Sequence, residues 1–346
     1  MKSETLDIRN NNFNFIRLLL AILVIFSHSF ELINGQVNEE ILIKIFHTIS
    51  FGQLAVDGFF TLSGYLIVQS WYLNPNTYIF LKSRILRIYP GFIIATLICI
   101  FIVGPIGSDD TAKYFLSVNW PVILKNILFL HKPDFYPVFS GWPDPELNRS
   151  MWTIAYEFKC YLLVLMLGIA GVIHNKRYWL IISLCINFLF LYSQIKNNIN
   201  FFDYSFQIKN DFIRLASFFF TGGCYYLFKE QIKITRSVYF CLSIIVVIGL
   251  FSSLFSENIL VLAGSSMLFL LANSTISWLS FFQKLPDVSY GVYLYGWPVQ
   301  KLLIFYINDI SPWEVLIIGT LLSILLGWFS WVVVEKPCIK LKKLIR

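Results

Sequence analysis

Apolar stretches long enough for a helix to cross a bilayer recur along the whole chain, and short polar segments separate them. A hydrocarbon core about 30 Å thick requires about 20 apolar helical residues. On that measure the pattern predicts ten spans, at 13–33, 50–72, 89–107, 151–172, 178–194, 211–228, 238–255, 258–276, 289–308 and 313–334. A shorter apolar run, Val118 to Leu130, reads as a re-entrant or interfacial segment. The expected fold is all-α: a polytopic membrane helix bundle, one domain over 1–346 with its core at 13–337 and no appended soluble domain. The first span is not a cleaved signal peptide, because no small-x-small site follows it and the chain continues as Glu31-Leu32-Ile33-Asn34.

Composition agrees with this reading. Hydrophobic residues make up 57% and charged residues 14%, with a mean hydropathy of +0.68, which excludes a soluble domain with a large core. Charge adds orientation. Segments holding Lys82, Arg84 and Arg87, then Lys176 and Arg177, then Lys229, Lys233 and Arg236 alternate with segments holding Glu39 and Glu40, Asp109 and Asp110, Glu257, and Asp309. The tail adds Lys340, Lys342, Lys343 and Arg346. This positive-inside pattern places both termini in the cytoplasm and accounts for the basic excess without nucleic acid. Five of the six cysteines lie in apolar spans, Cys338 lies in the tail, and no CxxC pair occurs, so neither a disulfide framework nor a metal site is expected. His131 and His174 fall in loops and His47 at the mouth of the second span.

His28 is different, because it lies inside a span that also carries Arg17. Ionisable groups in a bilayer are costly and usually mark a site or a path. Eleven residues separate the two, about three helical turns, which puts them on one face about 16 Å apart along the axis. By itself Arg17 reads as an interfacial anchor. If the first span runs outward, the second brings Asp57 and the fourth brings Glu157 to a depth comparable with His28. The three are expected to meet in one cavity entered from outside, where a carboxylate would fix the imidazole tautomer and suit it to general-base work. A polar cluster tying three helices together is the structural alternative. On the other side, Arg84 and Arg87 lie three apart on one helical face, placed either to grip phosphate or to anchor the following span.

Five elements, in order, carry a family resemblance: Arg17-x10-His28; Asp57-Gly58-Phe59-Phe60-Thr61-Leu62-Ser63-Gly64-Tyr65-Leu66; Arg84 with Arg87-Ile88-Tyr89-Pro90; Ser150-Met151-Trp152-Thr153-Ile154-Ala155-Tyr156-Glu157; and Ser289-Tyr290-Gly291-Val292-Tyr293-Leu294-Tyr295. Together they resemble the integral membrane acyltransferase family 3, which includes O-acetyltransferases of bacterial O-antigens, capsules and other surface glycans. The resemblance runs from about 13 to Val334-Glu335-Lys336-Pro337. Many members carry a His after the last aromatic run, whereas this chain has Gly296, followed by Trp297-Pro298. Gly296 with Pro298 suits a kink or a close helix approach instead.

The resemblance implies transfer of an acyl group, most often acetyl, from acyl-CoA to a sugar hydroxyl of a surface polysaccharide or its lipid-linked precursor. His28 is then the expected general base, with Glu157 or Asp57 as its partner. Arg17 would hold a phosphate or carbonyl of the donor, and Arg84 and Arg87 the CoA phosphates. Ser63, Tyr65, Trp152, Tyr290 and Tyr293 are expected at the substrate site, although Ser63-Gly64 also suits close helix packing without a covalent intermediate. Tyr136, Trp142 and Trp152 suit either sugar stacking or an interfacial aromatic belt. Acyl-CoA is expected as donor substrate with no bound cofactor. The other expected partners are the glycan acceptor and membrane lipids, with a second copy or a glycan-assembly protein left open, in the bacterial cytoplasmic membrane. A transporter or flippase is the rival reading, since mid-depth charges and a helix broken at Gly296-Trp297-Pro298 suit a substrate path, although no inverted repeat is visible.

Overall fold

The computed structural model describes residues 12–35, 39–133, 138–199, 204–232, 236–274 and 279–341. Tyr136, Lys233, Lys342, Lys343 and Arg346, named above, lie outside them. The described residues form helices and no strand. In order these are α1 (Phe13–Asn34), α2 (Ile41–Phe46), α3 (Phe51–Leu73), α4 (Thr77–Ile106), α5 (Thr111–Ser117), α6 (Trp120–Leu128), α7 (Trp152–Ile169) and α8 (Lys176–Ile199). There follow α9 (Tyr204–Leu227), α10 (Arg236–Leu250), α11 (Ser256–Asn273), α12 (Ser280–Lys284), α13 (Ser289–Tyr306) and α14 (Pro312–Lys340).

Among the described residues, seven helices are long and apolar enough to cross a membrane: α1, α3, α4, α7 with its leading turn, α8, α11 and α14. Each of the ten expected positions holds a helix among the described residues, but α9, α10 and α13 fall short of that measure. The first and last do so for a physical reason. They bury polar side chains, Arg214, Ser217 and Thr221 on α9 and Ser289, Gln300 and Lys301 on α13, against the bundle and away from lipid. Large apolar side chains point outward instead from α8 (Leu184, Phe188), α10 (Phe240, Ile248) and α14 (Leu321, Leu325, Phe329), as a hydrocarbon solvent requires.

Two crossings set the bundle's interior. A Cβ on Gly64 of α3 would lie 1.8 Å from the Phe219 carbonyl oxygen of α9, and one on Gly222 would lie 2.0 Å from the Thr61 carbonyl oxygen. On the other side Gly291 of α13 meets Gly327 of α14, where an added Cβ would lie 2.6 Å from Cα. Helices in lipid gain little from apolar burial, so close backbone approach over small residues holds them together. Gly64 therefore has the packing role that the Ser63-Gly64 pair suggested.

The expected start of the third span, residue 89, is corrected by α4. Its N-cap is Asn76, whose side chain accepts from the Ile79 N–H at 3.0 Å. From there the helix runs 30 residues to Ile106, about 45 Å at 1.5 Å per residue. Arg84 and Arg87 thus lie within a helix rather than in a loop before it. The chain then turns back: the Trp120 ring of α6 lies 5.9 Å from Phe101, and the Tyr89 hydroxyl donates to the Leu128 carbonyl at 2.8 Å. Phe101 and Tyr89 differ by 12 residues on α4, about 18 Å. The short apolar run is therefore a helix descending alongside α4, the re-entrant form of the two that its length allowed.

Candidate active site

Near the start of α1, Arg17 reaches Asp287, which lies two residues before α13, with Nη1 at 3.3 Å from Oδ2. The same oxygen takes Arg87 Nη2 at 2.7 Å, while Arg87 Nη1 lies 3.2 Å from Glu335 Oε2 of α14. Ser289 donates to Asp287 Oδ1 from its hydroxyl at 2.5 Å and from its backbone N–H at 3.2 Å. Burial alone would raise the Asp287 carboxyl; Arg17, Arg87 and Ser289 together outweigh it and hold the group down at about 2. Two cations and two anions thus tie α1, α4, α13 and α14 together.

This arrangement corrects the expectation for the arginine pair. Arg87 is occupied by two carboxylates, and its guanidinium also lies over the Tyr290 and Trp331 rings. Arg84 lies between the Phe80 and Tyr161 rings, at 5.6 and 5.9 Å, with Nη2 donating to Ser70 Oγ at 3.3 Å. Neither lines either of the two cavities described here, because helix rotation turns Arg84 toward α3 and α7 and Arg87 toward α13 and α14. Arg17 differs from both in lining a narrow cavity of about 40 Å³; its buried Nε, like that of Arg84, has no partner.

Glu157, Thr153, Ser289, Tyr290 and Tyr293 line the same narrow cavity. Ser63 Oγ donates to Glu157 Oε1 at 2.7 Å and the Tyr161 hydroxyl donates to it at 2.5 Å. The Tyr290 hydroxyl donates to the Ile88 carbonyl at 2.9 Å. The Tyr293 hydroxyl is bonded to Thr153 Oγ1 at 2.7 Å and to the Ser150 carbonyl. Tyr65 has no part in this. It packs among Phe13, Tyr226 and Phe269 in the core, which corrects its expected place at the substrate site.

Val56 and Tyr293 form a common wall between this space and a larger cavity of about 1010 Å³. His28 lines the larger one, with the Trp297 ring edge-on at 4.8 Å, and Trp152 lines it too. The expected cluster of His28, Asp57 and Glu157 does not form. Asp57 instead receives Arg214 Nη1 of α9 at 2.7 Å, and Glu257 lies 3.8 Å from the same nitrogen. The helices turn these carboxylates toward other partners. The acid on the His28 side is Glu31, one turn along α1 and bonded to Arg149 at 3.2 Å, which also meets Asp144 at 2.6 Å.

The region around Gly296 departs from the broken helix that a transporter reading wanted. Pro298 has no N–H, so the Leu294 carbonyl loses its helical donor. Asn148 Nδ2 supplies one at 2.8 Å, and α13 runs unbroken from Ser289 to Tyr306. A Cβ at Gly296 would lie 3.0 Å from Ile25 Cγ1, so the residue permits the close helix approach, here of α13 on α1.

These features belong with one finding from sequence comparison. A family model described as an acyltransferase domain matches residues 10–332. The chain belongs to this acyltransferase family. It is 26% identical over 334 residues to an "O-acetyl transferase" of Shigella phage Sf6, covering 95% of this chain and 96% of that protein. It is 23% identical over 364 residues to "Nodulation protein 10" of Rhizobium leguminosarum bv. viciae, covering 96% and 94%. No solved structure matches it significantly. The protein is thus a multi-pass membrane member of an acyltransferase family. In this acyltransferase-family protein, the site residues that sequence reasoning missed are Glu31, Arg149, Asp287, Glu335 and Asn148. Glu31 was legible as the i+3 neighbour of His28, and Glu335 stood in a quoted motif without a role. Asp287 lies two residues outside its motif, and nothing local marks it.

Proposed function

We propose that this protein transfers an acyl group, acetyl by analogy with the phage relative's name, from acyl-CoA to a sugar hydroxyl of a bacterial surface polysaccharide or its lipid-linked precursor. The observation that carries this is the pair of adjacent cavities that share Val56 and Tyr293 in their walls, with Arg17 on the narrow one and His28 on the wide one. The two residues share one face of α1, about 16 Å apart along its axis. The narrow cavity suits an extended pantetheine arm coming from the cytoplasmic side, and the wide one suits a glycan. Arg17, with its unpartnered Nε, is the donor-binding group in this reading.

A hydroxyl is a poor nucleophile at neutral pH, so its proton must leave as it attacks the thioester carbonyl. The imidazole of His28 takes that proton as the new C–O bond forms. Collapse of the tetrahedral intermediate breaks the C–S bond, and the imidazolium returns the proton to the departing thiolate. Glu157 acts as a wall of the donor channel, held by Ser63 and Tyr161, and not as the partner of His28. The protein works in the bacterial cytoplasmic membrane with both termini inside, as its charge pattern supports.

The test uses purified protein in liposomes with labelled acetyl-CoA and a panel of free and lipid-linked surface glycans. Wild type is expected to acylate a member of the panel, and His28→Ala to lose about 100-fold or more of that rate. No acetyl-CoA-dependent transfer across the panel, or full activity in the variant, defeats the reading. Cysteine scanning along α1 checks the two-sided access. Labelling near His28 from the cytoplasmic side alone contradicts it.

A further inference from the structure

Lys159 lies on α7 seven residues beyond Trp152, about 10 Å down the helix axis. It is exposed, and its ammonium stands 4.8 Å from the centre of the Tyr156 ring. Among the described residues no carboxylate pairs with it, whereas Arg149, Lys132 and Arg214 around the same cavity all have acidic partners. A cation inside a span and without a counter-charge is expensive, and that marks it for a ligand.

The surroundings indicate which ligand. Lys159 and Tyr156 line the wide cavity, and so do Asn126 and His131 at the far end of α6. The two elements meet through Tyr89, whose hydroxyl bonds Leu128 while its ring packs on Phe158 at 5.6 Å. Lys125 is exposed on α6, and His131 feels burial first, then the positive charge of both Lys159 and Lys125, all of which push its pKa down. Beside these cations α6 turns Leu124, Leu128 and Phe129 outward as bare apolar surface. Positive charge next to an apolar face complements an amphiphile with an anionic head.

We propose that the mouth of the wide cavity between α6 and α7 binds the phosphate of a lipid-linked glycan acceptor through Lys159 and Lys125. The lipid tail lies along the apolar face of α6, and the glycan extends inward to His28. What becomes of the glycan rests on the acyl-transfer reading above; the binding does not need the acyl donor.

The test is binding of a fluorescent polyisoprenyl phosphate to the full chain in neutral phosphatidylcholine nanodiscs without acyl-CoA. Saturable binding is expected, about tenfold or more weaker in Lys159→Gln and largely kept in Lys159→Arg, since a charge-assisted contact is lost only in the first. Lys125→Gln should weaken it too, and provides a second variant if the first misfolds. Lys113→Gln, away from the mouth and paired with Asp110, should leave it unchanged. Equal binding of the uncharged polyisoprenol, or full binding by Lys159→Gln and Lys125→Gln, overturns the site. Displacement of the probe by micromolar inorganic phosphate overturns the lipid as its source. Binding without any acyl transfer would sink the function proposed above and leave this site standing; transfer without binding would do the reverse.

Discussion

The two cavities handle charge in opposite ways. At the narrow end Arg17, Arg87, Asp287 and Glu335 pair among themselves, and a few ångströms of rotation would leave one of them uncompensated. At the wide end Glu31, Arg149, Asp211, Arg214 and Lys159 ring an open space of about 1010 Å³, and their pairings leave room and an unneutralised lysine. The first arrangement ties helices together; the second leaves a charge and a space uncommitted. Residue type alone does not separate them, because both ends use arginine and carboxylate. What separates them is whether each charge already has its partner.

The sharpest way to break this contrast is at the narrow end. Asp287→Asn leaves Arg17 without its carboxylate and Arg87 with Glu335 alone, and is expected to destabilise the protein by about 3–5 kcal/mol, read as thermal unfolding in detergent. His28→Ala, at the wide end, should instead leave the melting temperature near wild type while activity falls about 100-fold or more, equivalent to about 2.7 kcal/mol of barrier. A melting temperature lost in the second variant and kept in the first would erase the distinction. Gly296→His introduces the residue that the family resemblance led one to expect here, but its Cβ meets Ile25 at 3.0 Å. A cost of about 1–3 kcal/mol is expected from overpacking, reduced when Ile25→Ala is added.

The smallest effect concerns pH, where the ends should slope in opposite directions. Glu40 lies buried beside the wide cavity; burial raises its carboxyl to about 6, although the Phe51 N–H and Ser27 hydroxyl pull it down. The folded state therefore holds that proton more tightly than the unfolded chain. Stability from this group is complete below about 4.5 and is lost as pH rises through about 6. Asp287 behaves conversely, contributing above its unfolded value of 3.8 and failing as pH falls toward 2. Stability profiles of Glu40→Gln and Asp287→Asn should each flatten in their own window and nowhere else.

Much of the fold was legible because a bilayer demands long apolar runs, and the ten helical positions follow from that alone. Motif order was legible too, and it led to the acyltransferase family. Partnerships were not. Spacing along one helix gives depth, but rotation about the axis depends on packing against segments far away in sequence. Asp57 pairs with Arg214 across 157 residues, and Arg87 with Glu335 across 248. The length of α4 was hidden for a related reason: its first turns are polar enough to read as a loop, and Asn76 caps a helix where hydropathy saw none.

The sharing of Asp287 between two guanidiniums has a consequence for the donor site proposed above. A buried carboxylate with a single cation would be orphaned whenever an anion drew that cation away. If a donor phosphate drew Arg17 away, as proposed above, Arg87 would still stand 2.7 Å from Asp287 and 3.2 Å from Glu335. One cation would then face two carboxylates, so donor binding would weaken the joint between the four helices by one charge without leaving either carboxylate alone.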